Sequence, residues 1–298
     1  MNMKTLTVIT TTYNRAYCIG NLYESLKRQT CDDFVWLIVD DGSSDNTEEV
    51  VNGFIEERKV EITYIKQKNA GMHGARNTAY ENAVTEINTI IDDDDYMTDD
   101  AVEKITAFWK DNKRDGIAGF VGYNVDLKGE IIGSPLPEGV EETTTTELFD
   151  KYKVTGDKKL VYRSDIIKKY PFPVFEGEKF FPASYKYRLL DLEYKILIMP
   201  EPICVVDCNQ NSMTFNKVAQ YRSCAKGFAF YRNEMIRISK NPKYIIKETI
   251  HYIAESLLGG NKHFVKTAHK KGYAILCAPV GFALWLYIKK TKKKAIGV

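Results

Sequence analysis

Between Leu6 and Ile91 the sequence alternates short apolar runs with amphipathic stretches, and this alternation restricts the possible fold more than any other feature. Leu6 to Thr12 is rich in β-branched residues, as a strand requires, and Ala16 to Arg28 carries Ile19, Leu22, Tyr23 and Leu26 at the spacing of one buried helix face. Phe34 to Val39 is a continuous apolar run, expected for a strand covered on both faces. The turn DDGSSDNTEEV follows, with Asp45 and Glu48 spaced as a capping box for a helix to about Arg58. Val60 to Ile65 predicts a third strand, KNAGMHGARN a turn, Ala75 to Val84 a helix, and Thr89 to Ile91 a fourth strand that runs into four aspartates. Strands alternating with helices build an α/β fold, a mostly parallel sheet flanked by helices, with ligands bound at the carboxyl ends of its strands.

The regular pattern ends after a helix at about Thr98 to Lys110. Shorter strands are expected near Ile117 to Tyr123, Ile131, Leu160 to Arg163 and Tyr194 to Ile198, and Ser134 to Thr146 is Thr-rich and contains Pro. From Asn216 to Lys271 helical spacing dominates, interrupted at Asn241-Pro242. With no repeat and no linker, residues 1–110 and 111–215 read as two halves of one domain, and 216–298 as a helical C-terminal region packed on it. A chain of 298 residues buries enough surface to need no disulfides. Cys18, Cys31, Cys204, Cys208, Cys224 and Cys277 show no C-x-x-C pair, and the N-terminus lacks the basic start and apolar run of a signal peptide, so reduced thiols and a cytoplasmic location are expected.

The net charge of +2 conceals an asymmetry: nine of the 42 basic side chains and none of the 40 acidic ones fall in residues 262–298. The remaining body is acidic, which excludes a uniformly basic nucleic-acid binder. Gly272 to Ile288 is free of charge and is followed by Lys289, Lys290, Lys292, Lys293 and Lys294. An apolar segment ending in cations suits a membrane surface. It is short for a span and contains Pro279 and Gly281, so a tail (272–294) lying in one leaflet, on the inner face of the cell membrane, is expected ahead of a buried core helix.

Asp92-Asp93-Asp94-Asp95 is the sharpest chemical feature, because four adjacent carboxylates repel unless a cation neutralises them. Mn²⁺ or Mg²⁺ suits that need, taking one or two carboxylates together with phosphate oxygens, although a solvated acidic loop has the same composition. Asp40-Asp41-Gly42 offers a carboxylate to a ribose or base, or a turn with its own cap. Thr11 to Arg15 supplies hydroxyls, the Tyr13 ring, and the Arg15 cation for a diphosphate. Gly71 to Asn77 sets glycines before a helix, where backbone N–H groups could face an anion with Arg76 one turn inside, but it lacks the Walker spacing.

Taken in order, VITTTYNR, SLKRQT, LIVDDGSSDNT, NAGMHGARN and TIIDDDDYM resemble the family 2 glycosyltransferases of the GT-A fold, over about the first 110 residues. The resemblance implies a nucleotide-sugar donor, expected to be UDP-linked, with Thr11, Tyr13 and Asp41 at nucleoside-contacting positions. It matches Asp92-x-Asp94 to the D-x-D metal and ribose motif, with Asp92 and Asp93 beside the donor, Asp94 as the main metal ligand and Asp95 next to it. The acceptor would be a glycan or lipid-linked sugar in polysaccharide assembly, and the anomeric carbon would be inverted. The usual Glu-Asp base pair is missing before YKILIMPEPI. Glu178 in FPVFEGEKFFPAS is the preferred substitute, ahead of Glu176, Asp191 and Glu193, the last two expected on a solvated helix end. Two other classes compete: a nucleotidyltransferase, which has no basic Gly-rich signature to support it, and a non-catalytic membrane-associated nucleotide-sugar-binding protein, which needs no base.

Overall fold

The computed structural model describes residues 4–207 and 217–291, with side chains from 220 onward in the second stretch. Cys208 and Lys292, Lys293 and Lys294 of the expected basic tail lie outside the described residues. The chain divides into two units, Met1–Phe172 with Lys186–Asn209, and Pro173–Tyr185 with Gln210–Val298. Pro173–Tyr185 therefore groups with the C-terminal helices, whereas the sequence pattern had grouped it with residues 111–215.

The first unit is built on one sheet of β1 (Leu6–Thr12), β2 (Phe34–Asp40), β3 (Ile62–Lys66), β4 (Ile87–Ile90), β5 (Asp95–Met97), β6 (Ile117–Val125), β7 (Glu142–Thr143), β8 (Lys158–Arg163) and β9 (Lys195–Val206). Its order is β3-β2-β1-β4-β8-β6-β9-β5, with β7 alongside β9. The strands β3, β2, β1 and β4 run parallel, as their helical crossovers dictate, and β8 enters antiparallel between β4 and β6. The chain order reverses between β1 and β4, the kind of switch point at which α/β sheets open a crevice.

Register brings the strand ends together. Leu6 to Thr12 pair with Phe34 to Asp40, while β4 pairs only as far as Ile9 with Ile90. The main chain leaves β4 under the end of β1, held by the Ile91 N–H on the Ile9 carbonyl at 2.9 Å. Residues 11–15, 40–45 and 91–95 thus share one edge of the sheet.

The helix Ile19–Lys27 buries Ile19, Leu22, Tyr23 and Leu26, the face read from its spacing. Tyr23 stacks on Phe54 at 4.0 Å between ring centroids, and both rings stack near Trp36 of β2. Tyr23 and Trp36 are fully buried and Phe54 partly so; a fully buried side chain of this kind contributes roughly 1.5–3 kcal/mol, so this cluster fixes two helices on the sheet that carries the loops. The expected capping box before Thr47–Glu57 takes another form. Asp45 accepts from the Thr47 N–H at 3.1 Å and its hydroxyl, and Glu48 pairs with Lys66 at 2.6 Å instead of reaching back.

In the second unit the helices Ala225–Ile238, Pro242–Leu258 and Lys271–Lys290 pack around Ile236, Ile245, Tyr252, Ile253 and Cys277. Asn241-Pro242, read as a break, is a helix start: Asn241 Oδ1 accepts from the Lys243 N–H at 3.0 Å, and Pro242 occupies the first turn, where its missing N–H costs nothing. The last helix continues through Pro279. A Cβ on Gly281 would come within 2.6 Å of Ile253, so glycine is what lets the two helices approach.

Candidate active site

The loop after β1 is shaped by Asn14, whose φ of 54° lies in the left-handed region that asparagine tolerates. There its N–H donates to Ser43 Oγ at 2.8 Å, and its Oδ1 accepts from the N–H groups of Ser44 at 2.8 Å and Asp45 at 3.3 Å. Asp45 returns the grip by accepting from the Ala16 N–H at 3.2 Å. The loops after β1 and β2 are clamped into one rim, on which Tyr13 stands half exposed and Thr11 is partly buried.

The four aspartates have separate environments. Asp93 is buried, accepting from Thr12 Oγ1 at 2.8 Å, with Arg15 Nε at 3.8 Å. Asp94 keeps 35% of its side chain exposed, and its contact with Arg15 Nη1 is long, 3.4 Å. Asp92 is more open still and accepts from Arg76 Nη2 at 3.3 Å. Asp95 is buried at the start of β5, opposite Val206. Burial pushes the Asp93 carboxyl up to about 6, against Thr12 and Arg15 and helped by Asp94 and Asp92. Burial likewise raises Asp95 to about 7, against the pull of Lys159. Burial opposes the charge on Arg15, but Asp93 and Asp94 more than offset it and hold the guanidinium charged.

A hard divalent cation takes few protein carboxylates when phosphate and water complete its shell. Asp94 fits that role, since its carboxylate is accessible and only weakly engaged. Asp95 is adjacent in the chain but enclosed. Among the described residues no three His, Cys, Asp or Glu side chains form a ready metal cage.

Asp41 is buried and accepts from Gln67 Nε2, the Ala70 N–H and the Gly71 N–H, each at 2.8 Å. Gly71, with φ of 79°, turns the chain so that these donors converge. The N–H groups that the sequence offered to a ligand anion are in part already given to this carboxylate. The bond anchors the helix Met72–Asn82, which carries Arg76 toward Asp92. Burial opposes the charge on Arg76, and Asp92 more than compensates.

A profile of glycosyl transferase family 2 matches residues 7–170, more than half of the chain. The chain belongs to this family. A glycosyltransferase of Haemophilus influenzae described as uncharacterized is 24% identical over 247 residues, covering 83% of this chain and 95% of its own length. Glycosyltransferase GlyA of Streptococcus pneumoniae is 35% identical over 100 residues, and the poly(ribitol-phosphate) β-N-acetylglucosaminyltransferase TarS of Staphylococcus aureus is 24% identical over 189, but the chain spans only 14% and 30% of those two proteins. The crystal structure of TarS residues 1–349 in complex with UDP-GlcNAc superposes with a TM-score of 0.60 at 16% identity, covering 96% of this chain and 90% of that one. The mannosyltransferase PcManGT of Pyrobaculum calidifontis, in complex with GDP-Man and Mn²⁺, gives 0.54 at 18% identity, covering 95% and 81%. These likenesses establish the shared GT-A architecture.

Within this family member, Thr11, Tyr13, Arg15, Asp41, Arg76 and Asp92 to Asp95 all fall in the first unit, around the ends of β1, β2 and β4. Glu178 falls in the second. It is buried, and its two oxygens accept from the Lys226 N–H at 2.8 Å and the Gly227 N–H at 2.7 Å, which caps the helix Ala225–Ile238. Asp191, expected on a solvated helix end, instead caps Thr145–Asp150 by accepting from the N–H groups of Thr145 at 2.9 Å and Thr146 at 2.6 Å. Glu176 and Glu193 are exposed. Sequence reasoning passed over Lys159, a buried lysine on β8 whose ammonium donates to the Ile90 carbonyl at 3.1 Å and bears on Asp95. The signal was present in KKLVYR, where two successive lysines on a strand must point one to each face.

The occupation of Glu178 is testable. Glu178→Gln turns an NH₂ toward one of the two helix N–H groups, so the full chain should lose about 1–3 kcal/mol of stability in denaturant unfolding. A proton-accepting role predicts in addition that transfer by the still-folded variant falls on the order of a hundredfold, whereas a cap alone leaves transfer by the folded protein close to wild type.

Proposed function

We propose that this family 2 glycosyltransferase moves a sugar from a UDP-linked donor to a hydroxyl of a glycan or lipid-linked acceptor in cell-surface polysaccharide assembly, with inversion. The observation that carries the reading is the gathering of Tyr13, Arg15, Arg76, Asp92 and Asp94 at the switch point, where an aromatic face, two cations and two accessible carboxylates suit a nucleoside diphosphate and its metal. Support for the donor comes from TarS, whose structures hold UDP and UDP-GlcNAc. Support for the acceptor class comes from the names of TarS and of a teichoic acid poly(glycerol phosphate) polymerase from Staphylococcus epidermidis.

In this reading the Tyr13 ring covers the base, with Thr11 beside it. Asp41 acts through the loop it holds, keeping residues 67–71 under the nucleoside. Asp94, with Asp95 next in sequence, would hold Mn²⁺ or Mg²⁺, which when bound neutralises charge on the leaving diphosphate. Arg15 is at hand to exchange Asp93 and Asp94 for diphosphate oxygens, and Arg76 to do so from the side of Asp92. Preorganised cations of this kind lower the barrier because they are already oriented when charge develops.

The reading is tested by UDP binding in calorimetry. Affinity should rise at least tenfold on adding Mn²⁺, and Asp94→Asn should abolish most of that gain. Equal affinity with and without metal contradicts the role given to this loop.

We further infer that the last helix lies on the cytoplasmic leaflet. It has the length and composition of a span, yet one stripe, Ala274, Cys277, Gly281 and Ile288, is buried, while Ile275, Leu276, Val280, Phe282 and Tyr287 are each about half exposed or more. Such an open apolar face beside Lys289 and Lys290 suits an anionic surface, where each lysine adds about 1 kcal/mol. The wild-type chain should pellet with phosphatidylserine vesicles. Leu276→Glu with Val280→Glu, both on the exposed face, should leave the melting temperature unchanged and keep the protein in the supernatant; undiminished pelleting of that variant overturns the surface role.

A further inference from the structure

Lys186, in the helix Ser184–Leu190, is only 1% exposed. Its Nζ lies 3.8 Å from the centroid of the Tyr80 ring and 4.4 Å from that of Phe172. Phe172 is fixed for this purpose, since Asn77 accepts from its N–H and donates to its carbonyl, both at 2.8 Å. Cation–π attraction offsets part of the cost of burial, but an ammonium enclosed without a carboxylate is expensive, and a methionine would fill the same cage. Packing alone asks for no charge there.

Arg76 stands on the same helix as Tyr80, one turn earlier. Its Nε is buried without a hydrogen-bond partner, and its link to Asp92 is a single long one, 3.3 Å, to a carboxylate that is half exposed. The charged and titratable groups around the pair include Arg76 and Tyr80 on the helix Met72–Asn82, Asp92 after β4, Tyr187 beside Lys186, Asp157 just before β8, and Lys159 with Tyr162 on β8, the last stacked on Tyr187 at 5.6 Å. Of these two donor groups, Arg76 holds Asp92 through one long contact and Lys186 faces the Tyr80 and Phe172 rings. Such a pair is short of acceptor oxygens, and oxygens of a phosphoryl group supply what it lacks.

We propose that Lys186 is a positioning residue that acts through Arg76, the two forming a cationic pair for a phosphoryl group of the substrate. The arriving group takes Arg76 from Asp92, and the charge on Lys186 behind it holds the guanidinium forward. Burial, and then Arg76, depress the Lys186 ammonium to about 7, so above neutral pH the resting amine is mostly uncharged. A bound phosphoryl anion reverses that balance, and one proton passes from solvent to the Lys186 amine. The proposal rests on the UDP-donor reading above for the identity of the phosphoryl group, though not for its chemistry.

The test is calorimetry of the full chain at pH 8 with fixed Mg²⁺, titrated with UDP and separately with inorganic pyrophosphate, in two buffers of different ionisation enthalpy. Wild type should take up protons on binding. Lys186→Met should bind on the order of tenfold more weakly, lose that uptake, and melt no lower than wild type, because an apolar side chain now fills the cage. Lys186→Arg, permanently charged, should lose the uptake while keeping most of the affinity, and carries the test if the methionine variant does not fold. Equal affinity and equal proton uptake in wild type and variants overturns the pair and leaves the donor reading standing. Binding of pyrophosphate that depends on Lys186, with no binding of UDP, supports the pair and removes the donor reading.

Discussion

The grip of Asp41 on the segment before the helix Met72–Asn82 is the interaction on which the site depends. The Asp41 carboxylate, just after β2, accepts from the Gln67 side-chain amide and from the Ala70 and Gly71 N–H groups, so a buried carboxylate is satisfied by the segment that leads into the helix. That bond fixes where the helix starts, and its start fixes Arg76 and Tyr80, one facing Asp92 and the other Lys186. Loss of the Asp41 charge would free the loop and the whole strip of helix behind it. The neighbouring Asp40 serves the same end by accepting from the Ser43 N–H at 2.7 Å and the Tyr64 hydroxyl at 2.7 Å.

Charge around the four aspartates is distributed in depth. Toward solvent, Asp92 and Asp94 meet Arg76 and Arg15 through long contacts that a ligand can replace. Below them, Asp93 and Asp95 are enclosed and drawn toward their protonated forms, with Thr12 and Lys159 as opposing influences. An exposed pair of carboxylates ready for exchange and a buried pair already engaged form a more useful arrangement than four equivalent ones. It explains how so dense an acidic run is tolerated at a strand end without being spread into solvent.

Local chemistry was legible in the sequence and distant contacts were not. Leu6–Thr12 was read to the residue because β-branched side chains admit little else, and the buried face of Ile19–Lys27 followed from its spacing. The parallel strands and the clustering of Tyr13, Arg15 and Asp92 to Asp94 follow from the alternation itself. The antiparallel entry of β8 beside β4 does not, because nothing local in KKLVYR specifies its neighbour, and with it Lys159 arrives beneath Asp95. Glu178 and Asp191 were read as free carboxylates since the helix ends they cap lie 48 and 45 residues away in the chain. Lys186 in SYKYRLL resembles a surface lysine until Tyr80 and Phe172 close over it.

The central claim is that these parts make a sugar-transferring site, and the fate of a nucleotide donor tests it most directly. Purified full chain incubated with a panel of nucleotide sugars and Mn²⁺ should release nucleoside diphosphate, with UDP from a UDP-sugar as the predicted product, and should release none once the metal is chelated. Release of pyrophosphate from a nucleoside triphosphate and a sugar phosphate, or no turnover of any donor despite tight UDP binding, would contradict the account.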